Sequence, residues 1–89
     1  MQNWAALSED DRNDIENKVL AALNSIGIKD TIAQWNKPAK LPHWQLIIET
    51  SWCSSKSRSD VVIARDQAMA RADIQRPMNG VVLRRPQEK

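Results

Sequence analysis

Six consecutive residues, Ser54-Ser55-Lys56-Ser57-Arg58-Ser59, bring hydroxyl donors and two cations together. A stretch with helical periodicity follows, so the free backbone N–H groups of a helix start add to the donors. Anions are favoured at such a place, and a phosphate, a sulfate or a nucleic-acid backbone would each suit it. Ser55, Lys56, Ser57 and Arg58 are therefore the candidate anion-binding residues. A solvated loop ending in a serine cap accounts for the same residues, and Asp60 already supplies negative charge to that helix end.

Cys53 stands beside these cations, where a thiol is easily activated. A Cys-x5-Arg phosphate loop would need its arginine at position 59, which is Ser59; Arg58 falls one residue short and the loop holds no glycine. Packing is the simpler use of this cysteine. His43 is the only histidine, and a structural zinc site needs about four Cys or His ligands. Between His43 and Cys53 lies an extended pattern, which at about 3.3 Å per residue would hold the two groups some 30 Å apart. Glu9, Asp10, Asp11, Asp14 and Glu16 read as an ordinary acidic helix start. The sequence carries no Walker loop, dinucleotide-binding glycine motif, His-Glu-x-x-His pair or EF-hand spacing. It thus assigns no catalytic residue, no metal ligand and no cofactor, and it leans away from an enzyme.

The 89 residues suit one small domain, expected to span residues 1–89 with fraying at 1–7 and 86–89. At 42% hydrophobic and 27% charged residues, with a net charge of +2, the chain is not of the disordered class. A chain this short buries only about 60–65% of its unfolded surface, so its core is thin and a second subunit would help complete it. One cysteine excludes an internal disulfide and fits a reducing, cytoplasmic setting. No apolar run approaches the roughly 18 residues of a membrane span, and the first residues lack the pattern of a secretory signal. With four tryptophans and no Phe or Tyr, Trp4, Trp35, Trp44 and Trp52 must supply all aromatic packing.

Ser8 with Asp11 three residues on predicts a capped helix over about 9–26, with Ile15, Val19, Ala22, Leu23 and Ile26 on one stripe and Gly27 ending it. Thr31–Trp35 is a short candidate strand, and Pro38 and Pro42 mark a loop. Trp44–Trp52 alternates clearly and predicts a nine-residue strand with both indoles on its apolar face. Ser57 with Asp60 predicts a second capped helix over about 58–73, its stripe Val61, Ala64, Ala68 and Ala72 flanked by Val62 and Met69. After Pro77 and the Asn79-Gly80 turn signal, Val81–Leu83 is a last short strand.

The order α-β-β-α-β predicts a small α/β (α+β) sandwich with two helices on one face of a three-stranded sheet. The second helix has the length of a βαβ crossover, so the last two strands are expected to run parallel. Ferredoxin-like and KH-like domains share fragments of this order, but the Gly-x-x-Gly clamp of the latter is absent.

Residues 1–30 carry a net −3, residues 31–64 +2 and residues 65–89 +3. Lys37, Lys40, Lys56, Arg58, Arg84 and Arg85 fall in loops or at strand ends. Together with Trp35, the residues Lys37, Lys40, Arg84 and Arg85 form the candidate interaction surface. The reading that results is a non-enzymatic interaction module binding a protein partner or itself, as a homodimer, with no role at a membrane. The alternative is a nucleic-acid or phosphate-binding module using loop 54–59 and the basic strand ends.

Overall fold

Ser8 starts the first element. Its hydroxyl accepts from the Asp11 N–H, and the Asp11 carboxylate accepts from the Ser8 N–H. This reciprocal box satisfies two otherwise orphan donors and opens helix α1, Glu9–Ser25, in a computed structural model that describes residues 4–40, 42–74 and 80–86. The helix buries Ile15, Val19, Ala22 and Leu23, as their spacing predicts. Gly27 follows at φ +94°, a left-handed conformation natural to glycine. Its N–H donates to the Asn24 carbonyl and that of Ile28 to the Leu23 carbonyl, closing the helix and turning Ile28 into the core.

Strands β1, Thr31–Asn36, and β2, Gln45–Thr50, pair antiparallel without a bulge. A short 3-10 turn, Ser51–Ser55, leads into helix α2, Arg58–Ala72, opened by the same kind of box between Ser57 and Asp60. Strand β3, Val81–Arg84, then pairs parallel to β2, giving the order β1-β2-β3. A parallel neighbour requires a crossover, and α2 supplies it. Among the described residues, two helices and a three-stranded sheet in the order α-β-β-α-β therefore form the sandwich. The Asn79 half of the turn signal and Pro77 lie outside the described residues.

Register sorts the sheet into two faces. On the covered face, Ala33, Ile48 and Leu83 lie in one row and Trp35, Leu46 and Val81 in the next. Leu46 and Ile48 are fully buried and join Ile15, Val19, Leu23 and Ile28 in one core. Ala64 and Ala68 are buried on α2, where small side chains let the helix sit close to its neighbours.

The structure corrects three expectations. The strand expected over Trp44–Trp52 is only Gln45–Thr50. Thr50 ends it: its buried hydroxyl accepts the Trp52 N–H at 3.2 Å and caps the 3-10 turn. Trp52 reaches the core from that turn, not from the strand's apolar face, and Trp44 lies just before the ladder, its N–H donating to the Trp4 carbonyl. Second, fraying over residues 1–7 does not describe Trp4 and Leu7, which are both in the core; Trp4 is 3% exposed. Residues 1–3 and 87–89 lie outside the description. Third, Val62, expected to flank the buried stripe of α2 with Met69, is exposed beside Ile63, while Met69 is buried.

Candidate interaction surface

Alternation along β1 sends Ile32, Gln34 and Asn36 to the face opposite the helices, and all three are exposed. Ile32 is 68% exposed, the most open large apolar side chain among the described residues. In the register, Ile32 lies opposite Glu49, which lies opposite Arg84; the Arg84 guanidinium donates to Glu49 at 2.8 Å. The neighbouring row is Gln34, Ile47 and Val82. Ile47, in the central strand, is buried, so the openness of this face is concentrated on β1. Among the described residues its charges, Glu49 and Arg84, pair with each other, and the rest of the face is uncharged and partly apolar.

Trp35, a candidate for the interaction surface with packing as its alternative use, is on the helix side. It is half-buried against Trp4, ring centres 5.6 Å apart and tilted by 51°, and its indole N–H is buried without an acceptor. It is a packing residue. Lys37 and Lys40 follow the end of β1; Lys40 is exposed, while the Lys37 ammonium donates to the Ala5 carbonyl at 3.1 Å. Arg84 and Arg85 close β3 at the other end of the sheet, Arg85 exposed. A six-residue strand is about 17–20 Å long, so these two basic pairs do not share one edge. The topology instead brings Arg84 and Arg85 to the sheet end from which Lys56 and Arg58 depart.

A cationic-aromatic cluster not visible in local sequence pattern sits at the Lys37 end. The Arg12 guanidinium lies 4.2 Å from the centre of the Trp44 ring and the Lys37 ammonium 5.7 Å. Arg12 also donates to the Leu7 carbonyl at 3.2 Å. Both cations thus stack on Trp44 and bind carbonyls of the segment carrying Trp4 and Leu7, anchoring that segment to the sheet.

In loop 54–59 the side chains are exposed, and their hydrogen bonds stay local. The Ser55 hydroxyl reaches the Trp52 carbonyl, and the Lys56 ammonium lies 5.3 Å from the Trp52 ring centre. Ser57 accepts the Asp60 N–H at 3.2 Å, and Asp60 accepts the Ser57 N–H at 3.4 Å. The helix start is thereby capped from within, and Arg58 is left as an exposed cation at its first turn.

Cys53 is buried in the 3-10 turn, and desolvation pushes its thiol above the ordinary 9.0. A raised value keeps the proton on sulfur and suppresses nucleophilicity. Alkylation in the native state is accordingly expected to be much slower than in urea at pH 8. Stability should fall as pH rises past about 9, because the unfolded thiol ionises before the folded one. Equal alkylation rates with and without urea would contradict this burial. His43 precedes β2 and Cys53 follows it, so the strand separates them by roughly 20 Å, less than the expected 30 Å but beyond any contact. His43 Nδ1 lies 2.9 Å from the Trp44 carbonyl, which can only accept, so Nδ1 carries the proton.

Among the described residues no three His, Cys, Asp or Glu side chains group as metal ligands, and no helix is long and apolar enough to cross a membrane. No family model, curated protein or solved structure matches the chain.

Proposed function

We propose that this chain is a non-enzymatic interaction module that binds protein, in the first instance a second copy of itself, through the β1 side of its sheet. One observation carries the reading: Ile32 stands 68% exposed in a regular strand, on a sheet face whose only described charges, Glu49 and Arg84, neutralise each other. A neutral, partly apolar strand face suits protein association and offers no field to attract a polyanion. The buried, protonated Cys53 suits a reducing cytoplasmic setting.

Sedimentation from about 10 to 500 µM tests this reading, a range chosen because small interfaces associate weakly. Average mass is expected to rise with concentration, and Ile32→Lys, which places a charge on an otherwise uncharged edge, is expected to suppress the rise. A strict monomer at the top of that range would overturn self-association.

The nucleic-acid or phosphate-binding reading ranks second. Lys56 and Arg58 favour it, both exposed at the sheet end that also carries Arg84 and Arg85. The capping box and the Glu49–Arg84 pair weigh against it, because they occupy donors an anion would need.

A further inference from the structure

β1 is an edge strand, and no backbone or side-chain hydrogen bond reaches its residues from outside the sheet among the described residues. Its six residues, Thr-Ile-Ala-Gln-Trp-Asn, hold no charge, no proline and no bulge. Edge strands are usually blunted by such devices, because an unpaired edge is a template for another strand. Here such residues lie only outside the strand, Lys29 and Asp30 before it and Lys37 and Pro38 after it.

We propose that β1 pairs antiparallel with β1 of a second copy about a two-fold axis at Gln34, joining two three-stranded sheets into one of six. This rests on the self-association proposed above and specifies its geometry. An uncharged strand has nothing with which to select a charged foreign peptide, whereas against itself it matches well. In the Gln34 register, bulky Trp35 lies opposite small Ala33 of the second copy, Ile32 opposite Asn36, and the two Gln34 amides face each other. Lys37 falls opposite Thr31. Moving the axis to Ala33 would set Lys29 against Lys37 at both ends, a like-charge pairing that the Gln34 register avoids. Six strands is an ordinary sheet size. One strand pair buries less than the ~800 Å² per partner of a standard interface, so the dimer is weak and exchanging.

Disulfide trapping in a Cys53→Ala background tests the geometry. Gln34→Cys brings two thiols together at the axis and is expected to cross-link at least about tenfold faster than Ala70→Cys, an exposed site on α2. Ile32→Cys alone should stay slow, while Ile32→Cys with Asn36→Cys should link. Face-to-face stacking would hold the sheets ~10 Å apart, too far for a disulfide at Gln34. If Gln34→Cys links no faster than Ala70→Cys, or Ala33→Cys links faster, this geometry is overturned. Sedimentation of the unsubstituted protein then separates the two failures: a dimer without the Gln34 link leaves self-association standing on another surface, and a monomer removes both. Should Gln34→Cys fold poorly by circular dichroism, concentration-dependent amide protection of β1 in the unsubstituted protein decides the same point.

Discussion

Replacing Trp4 with alanine is expected to cost about 3–5 kcal/mol, the usual range for removing a buried tryptophan. The side chain is 3% exposed, its ring packs on Trp35, and its carbonyl receives the Trp44 N–H. A domain of this size has stability near the low end of about 5–15 kcal/mol, so the loss consumes most of it. Thermal melting should show a fall of at least about 12 °C, since each kcal/mol shifts a domain this small by roughly 4–8 °C. Were residues 4–7 a solvated tail, the change would stay within about 0.5 kcal/mol, the ordinary effect of a surface substitution. Trp4→Phe keeps a ring in the site and should recover much of the loss. Trp44→Ala should loosen the same segment less, because Arg12 and Lys37 keep their bonds to the Leu7 and Ala5 carbonyls.

The second large effect separates the two faces of the sheet. Ile48→Lys places an ammonium among fully buried side chains, where no acceptor awaits it. Holding that lysine neutral at pH 7 costs about 4–5 kcal/mol for a normal pKa near 10.4, and holding it charged costs more. The variant should be largely unfolded by circular dichroism. Ile32→Lys, on the adjacent strand but the opposite face, should melt within a few degrees of the parent, because its side chain already stands in water. Similar losses in both variants would mean that the outer face is covered.

What was legible in the sequence had a local cause. Ser8 with Asp11 and Ser57 with Asp60 fix two helix starts through contacts three residues apart, and both boxes form. The alternation Leu46-Ile47-Ile48-Glu49 follows from the two faces of β2. Thr50 and Trp52 continued that alternation by residue type, and the extended pattern ran on past the true end. The decisive contact was polar: the Thr50 hydroxyl on the Trp52 N–H. Trp4 precedes the helix and belongs to no repeating pattern, so only its contact with Trp35, distant in the chain, makes it core. Arg12 on Trp44 and Arg84 on Glu49 are likewise tertiary, so the position of Arg84 at a strand end marked it as a surface candidate without showing its partner. The candidate surface was half legible. Trp35 was a candidate by residue type but belongs to the helix side, and the exposed Ile32 gained meaning only once β1 was placed at an edge.

Amide hydrogen exchange over β1, followed as protein concentration is raised through about 10–500 µM, is the most direct measurement of that edge, since association must be read against standard interface affinities. Amides facing outward from Thr31–Asn36 should become more protected as concentration rises, while those of α2 stay unchanged. Exchange at β1 that is fast and independent of concentration, in a sample whose sedimentation stays monomeric, would contradict association through this strand.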